Sequence, residues 1–218
     1  MPEIVGRLRP PRLATAPSSP AGGEEYYDTG GNTLCWWNGT VWVVSGGATA
    51  GALPASPIDG QECYYLADAT NGIVWHLKYR AGSASTHKWE FLGGSELIAG
   101  PSGSVTTSST TPVAFSGGPS ITLPLAGDYE VLIGAAATIQ VATGPVQLST
   151  SSTRNGAVFG VSAIVVAGVQ YTGGDAVKEN VLANANAGDV VALAAQLSAA
   201  VSGVFNNGWI KLKPRRVG

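Results

Sequence analysis

A chain of 218 residues with 44% apolar side chains can bury one sizeable core and still carry smaller modules. Charged residues make up only 12% while glycine reaches 30 and proline 13, the profile of an all-β, turn-rich protein or of a fibrous assembly protein. The formal net charge of −2, with basic clusters only at the two ends, offers no concentrated basic face and argues against nucleic acid as a partner.

At the start, "MPEIVGRLRPPRL" has no apolar core of signal-peptide length, and no uninterrupted apolar run in the chain approaches about 20 residues. The expectation is synthesis and folding in a cytoplasm, without membrane insertion. The Pro-rich "LRPPRLATAPSSPAGG" suits neither helix nor central strand and is expected to run extended along a partner. Residues 1–17 are thus an expected N-terminal anchor, with Arg7, Arg9 and Arg12 its candidate contacts.

Residues 18–47 and 55–94 read as one motif used twice. Pro20 and Pro57, like Gly23 and Gly60, stand 37 residues apart, whereas Trp42 and Trp89, and Gly46-Gly47 and Gly93-Gly94, stand 47 apart. Each copy predicts a three-stranded meander: a Tyr-rich strand ("EEYY", "ECYYL"), a second strand ("TLCWW", "GIVWHLKY") and a third ("TVWVV", "HKWEFL"). The first hairpin closes on Asn38-Gly39, a pair suited to a type I′ turn, which also accounts for the Asn-x-Thr sequon. The second hairpin carries "RAGSAST", so the extra length of copy two is expected at that tip.

Units of about 30 residues bury little surface alone, so large aromatics are expected to fill them or to pack on a neighbouring chain. Trp37 is matched with Trp75, Trp42 with Trp89, and Trp36 with Val74. The competing reading is an exposed platform for sugar rings, with Trp36, Trp42, Trp75, Trp89, Tyr27 and Tyr65 as candidate glycan or partner contacts. Trp36 is the strongest of these, because it alternates with Trp37 and faces the other side of its strand.

From residue 101 to 218 the pattern changes to short runs of β-branched and small apolar residues cut by turns. Expected strands are "SVTTSS", "TPVAF", "SITLPL", "DYEVLIGAAATIQ", "PVQLST", "AVFGVSAIVV", "AVKENVLANA", "DVVALAAQLS" and "GWIKLKP". The turns between them are "SGGP", "LAGD", "ATGP", "YTGG", "NAGD" and "FNNG". So many strands predict a two-sheet sandwich or jelly roll. The Ala-rich "DVVALAAQLS" alternates residue by residue and reads as strand despite the helix preference of alanine.

Candidate chemistry is sparse. His76 and His87 are expected as a cross-strand surface pair on the second meander, and Cys35 and Cys63 as free, buried thiols. No metal-ligand spacing or phosphate loop is present, so no metal, cofactor or catalytic residue is assigned. Glu24 and Glu25 project to opposite faces, while Asp59, Asp68, Asp128, Asp175 and Asp189 sit at turns where carboxylates cap backbone amides. A polysaccharide-degrading enzyme would need convergent carboxylates, and the expectation is a protein that is not an enzyme.

The run "SPIDGQECYYLADATNGIVWHLKYRAGSASTHKWEFLGG" resembles the small aromatic repeats of fibre and minor tail proteins of tailed bacteriophages. The segments "ITLPLAGDYEV", "ANAGDVVAL" and "NNGWIKLKP" are similar to strands of trimeric jelly rolls of the tumour-necrosis-factor-like kind. The resemblance implies a homotrimeric virion appendage, made in the host bacterial cytoplasm and joined to other virion proteins through its N-terminal segment. It also implies a role in attachment through host cell-surface glycan, or a purely structural place as head fibre, decoration or collar.

Overall fold

Residue-by-residue alternation of apolar and polar side chains makes this chain a stack of strands, as over Gly127–Ile139, where Tyr129, Val131 and Ile133 are buried and Glu130 points outward. A computed structural model describes residues 10–29, 33–37, 39, 42–45, 49–139, 146–166, 171–175, 178–198 and 201–218. The described residues are all-β with no helix. The first module holds β1 (Arg12–Leu13), β2 (Glu25–Asp28), β3 (Thr33–Trp37) and β4 (Trp42–Ser45), in that spatial order. The second holds β5 (Thr49–Ala50), β6 (Glu62–Asp68), β7 (Ile73–Tyr79) and β8 (Trp89–Gly94).

The remainder is a sandwich of two sheets. Its strands are β9 (Leu97–Thr107), β10 (Val113–Ala114), β11 (Ser120–Thr122), β12 (Gly127–Ile139), β13 (Val146–Arg154), β14 (Ala157–Val166), β15 (Tyr171–Asp175), β16 (Lys178–Ala185), β17 (Val190–Leu197) and β18 (Gly203–Val217). The smaller sheet runs β10-β17-β13-β14, with β11 also on β17. The larger runs β15-β12-β18-β8-β7-β6-β5, with β16 on β12 and β9 on β18. The second module is therefore continuous with the sandwich: Trp89 and Glu90 of β8 pair with Val217 and Arg216 of β18. A single core runs from Trp75 and Trp89 through Tyr129, Ile133, Phe205 and Leu212 to Leu148, Leu193 and Leu197 of the smaller sheet.

The two modules share the hydrogen bonds of their entry turn and first pairing. Gly23 N–H donates to the Trp37 carbonyl at 3.0 Å and Gly60 N–H to that of Tyr79 at 2.9 Å, while Trp37 and Tyr79 donate to Glu24 and Gln61 at 2.7 Å each. At the entry turn, Glu24 and Gln61 cap the amides of Ala21 and Ile58 from the same position. Each copy also begins with a short parallel strand, Arg12 against Tyr27 and Thr49 against Tyr64. Residues 12 and 13 thus fold back into the first module instead of continuing the extended anchor, because a parallel partner satisfies their backbone. Arg7 and Arg9 lie outside the described residues.

These pairings correct the alignment. The offset is 37 residues between Glu25 and Glu62, 42 between Trp36 and Lys78, and 47 between Trp42 and Trp89, so half of the added length extends the strands β6 and β7 and half lies in the turn before β8. Trp37 corresponds to Tyr79, and Trp36 to Lys78, not to Trp75 and Val74. The turn between β6 and β7 is stabilised by Asp68, which accepts from the Thr70 and Asn71 amides at 2.9 and 3.1 Å. Asn38 and Gly46-Gly47 are outside the described residues, while Gly39 has a φ of 99°, as a hairpin closure requires.

Two expected turns are strand. Tyr171–Asp175, containing "YTGG", is β15 on the edge of β12. The "FNNG" segment lies inside β18, where Asn207 has a φ of 53° and the register shifts beside Gly208. Because β18 is paired on both edges, by β9 and β12, the chain can only bulge there. Conversely Asn155-Gly156, with φ values of 50° and 85°, closes the β13–β14 hairpin from a turn pair that the strand reading passed over.

Candidate functional site

Alternation along β2 and β3 sorts the first module's aromatics onto two faces. On the inner face Tyr26, Trp37 and Trp42 form an edge-to-face cluster, with Trp42 centred 4.7 Å from Tyr26 and 5.6 Å from Trp37. Cys35 is buried among them, and Trp42 Nε1–H donates to the Pro17 carbonyl at 3.2 Å. Burial pushes the Tyr26 hydroxyl up to about 12, with Cys35 and then Asp28 adding to it. Trp42 is thus half-buried in the module's own core.

The outer face carries Glu25, Tyr27 and Trp36, with the Arg12 guanidinium 5.0 Å from the centre of the Tyr27 ring. Trp36 is 39% exposed, the most open tryptophan side chain in the first module. A flat ring, a cation on a second ring and a carboxylate on one face form a surface that can stack on an apolar ring face and hydrogen-bond its rim.

Three of the six aromatic candidates are corrected by burial. Tyr65, Trp75 and Trp89 are 6%, 0% and 3% exposed, because the second module's inner face is covered by the sandwich to which β8 joins it. Trp75 Nε1–H donates to the Ser95 carbonyl at 3.1 Å, and its ring meets Tyr65, Phe91 and Tyr129. The outward face of this module is polar. Glu62 holds Lys78 Nζ and His76 Nε2 at 2.9 Å each, and the His76 ring stacks on Tyr64 at 4.6 Å. Hydrogen bonds from Lys78, then His76, hold the Glu62 carboxyl below its usual range. The histidines are no surface pair: His87 is buried, its Nδ1 3.0 Å from the Gly218 carbonyl oxygen.

Trp209 went unassigned in the sequence. It lies on the outer face of the larger sheet over Gly134, where an added Cβ would stand 2.5 Å from its indole carbons. Lys211 Nζ is 5.8 Å from the ring, and an adjoining cavity of about 160 Å³ is lined by Glu96, Glu130, Leu132, Lys211 and Lys213. No sequence pattern singled it out, because Gly134 and Trp209 are brought opposite each other only by the pairing of β12 with β18. Among the described residues no three His, Cys, Asp or Glu side chains gather as a metal site would need.

The sandwich's two outer faces differ in chemistry. That of the larger sheet carries Glu130, Lys211, Lys213 and Arg215, with Val181 and Ile98 exposed opposite Glu130 and Lys211. That of the smaller sheet carries Ser149, Ser151 and Thr153 on β13, paired with Gln196, Ala194 and Ala192 on β17 and with Val161 and Val158 on β14. Ser120 and Thr122 of β11 extend it beyond β17. None of these residues is charged; Val158 and Val190 are exposed, whereas Ser149, Ser151, Thr153 and Ala194 are already buried in the single chain, the Ser151 hydroxyl without a hydrogen-bond partner.

No protein-family model and no curated protein matches the chain. Among solved structures it is weakly similar to the insecticidal delta-endotoxin Cry8Ea1 of Bacillus thuringiensis, with 17% identity over 51% of this chain and a TM-score of 0.34. A similar likeness links it to the Eiger TNF of S. frugiperda, with 14% identity over 57% of this chain and 95% of that one, at a TM-score of 0.34. A third is to a protein of the T13 IBDV viral particle, with 12% identity over 64% of this chain and a TM-score of 0.31. The chain spans 19% of the delta-endotoxin chain and 37% of the viral-particle chain.

Proposed function

We propose that this protein is a structural component of a tailed-phage virion, a fibre or minor tail appendage, which assembles as a homotrimer and contributes to attachment at the host surface. The observation that carries the assembly is the contrast between the sandwich's two outer faces. The smaller sheet's outer face is uncharged, with Val158 and Val190 exposed beside a Ser149–Ser151–Thr153 strip already buried in the single chain, while the opposite face sets lysine, arginine and glutamate beside the exposed Ile98 and Val181. Copies of the chain packing through the smaller sheet would cover it. Mass measurement in solution should give three times the 22.1 kDa of the chain, and a stable monomer at micromolar concentration would sink the trimer.

Attachment is assigned to the outer face of the first module, where Trp36 and Tyr27 would stack on sugar rings of a cell-surface glycan. The protein acts here by binding, with no catalytic step, and the segment bearing Arg7 and Arg9 joins it to other virion proteins. Purified protein should compete with virions for host cells, and Trp36→Ala should lose that competition; equal competition by both would remove the glycan role. A ligand-free place as head fibre, decoration or collar is favoured by one observation, the Arg12 guanidinium already seated over Tyr27.

A further inference from the structure

The two modules share the hydrogen bonds of their entry turn and first pairing and differ in what meets their last strand. Trp37 N–H donates to Glu24 on β2, so the peptide groups of Trp42, opposite Trp37, face away from β3 toward the sheet edge. The same holds in the second module, where Tyr79 donates to Gln61 and Trp89 faces outward. There the edge is occupied: β18 lies antiparallel on it, with Val217 opposite Trp89 and Arg216 opposite Glu90. An ion pair joins Arg216 to Glu90. In the first module β4 is the last strand of its sheet, and among the described residues nothing pairs with its outer edge.

Among the described residues that edge carries no charged side chain to guard it. The strand reads Trp-Val-Val-Ser, with no charge and no proline to discourage pairing. We infer that the edge of β4 is a docking site for an extended antiparallel strand contributed by another protein chain, held as β18 is held on β8. A second copy's β18 is not available for it, since Val217 is buried and paired within its own chain. The register also sets the chemistry of the guest. A β-branched apolar residue belongs opposite Trp42, as Val217 does opposite Trp89. Val43 stands where Glu90 stands, so the residue opposite it must be uncharged, because an arginine there would lose its carboxylate partner.

The test uses the full chain and two synthetic peptides of residues 212–218, one unaltered and one carrying Arg216→Val, with hydrogen exchange read at the Trp42 and Val44 amides, the two that point away from β3. In the free protein these amides should exchange rapidly. The Val peptide should protect them, at a concentration about tenfold below that needed by the parent peptide. Val43→Glu, which restores the acid of the second module, should reverse that preference, so the result does not depend on a variant that disturbs the fold. Protection in the free chain would mean that its own residues or a second copy already fill the edge, and would overturn the inference. So would unchanged exchange with both peptides, or the same preference in the Val43→Glu protein.

Discussion

Trp36 and Trp75 occupy strands of the same repeat family, yet their substitution should have opposite consequences. Trp75→Ala removes a fully buried ring from the shared core and should destabilise by about 3–5 kcal/mol, whereas Trp36→Ala should stay within about 0.5 kcal/mol of the parent. Denaturant titration of both variants checks this, and a large loss for Trp36→Ala would mean that the outer face of the first module is covered. A second test concerns Cys63, whose thiol burial pushes up to about 11. Since the thiolate is the reactive form, Cys63 should resist a thiol reagent at pH 8 in the folded protein and react on unfolding. Rapid labelling at Cys63 without denaturant would contradict its burial.

At the scale of elements, one carboxylate ties two hairpins together. Asp189 accepts from the Asn186 amide at 2.7 Å, from Asn155 Nδ2 at 2.7 Å and from Arg154 Nε at 2.6 Å, joining the turn before β17 to the β13–β14 hairpin. The Asn186 amide, then Asn155 and Arg154, hold its carboxyl below the ordinary value of 3.8, against the opposing effect of burial. A group with a lowered folded-state pKa contributes stability that is full above the unfolded value and is lost as pH falls through the folded one. Asp189→Ala should therefore cost about 3 kcal/mol at neutral pH, leaving Arg154 and two amide donors unpaired. The gap between the parent and Asp189→Ala should narrow below pH 3.8, as thermal melts across that range would show. A gap independent of pH would mean that packing, not charge, sustains the turn.

Among the described residues the sandwich has one outer sheet face set with charged side chains and one without charge. Placing lysines on the uncharged face, Val158→Lys together with Ala192→Lys, should convert the proposed trimer to monomer while leaving the strand content of the sandwich unchanged. Val158 is exposed at the surface and Ala192 points outward from β17, so neither lysine enters the core. Light scattering and circular dichroism on the same sample separate the two outcomes. A trimer that survives both charges would place the interface elsewhere.

Much of this fold was legible in the sequence because strands and turns are local. Period-two alternation located β12, β14 and β17, even through the alanines of β17, and the internal repeat located two modules from recurring Pro, Gly and Trp. Alternation also placed Trp36 and Trp37 on opposite faces. It could not say which face would be covered, since that depends on strands far away in the chain. Only the docking of β18 on β8 decided that Tyr65, Trp75 and Trp89 are core, and only pairing on both edges turned "FNNG" from a turn into a bulge. The same distant strand fills the edge of the second module and leaves that of the first open among the described residues. The sequence by itself determined the strands, their faces and their repetition. The tertiary structure decided which faces and edges meet water, because burial is a property of the partners an element finds and not of the element.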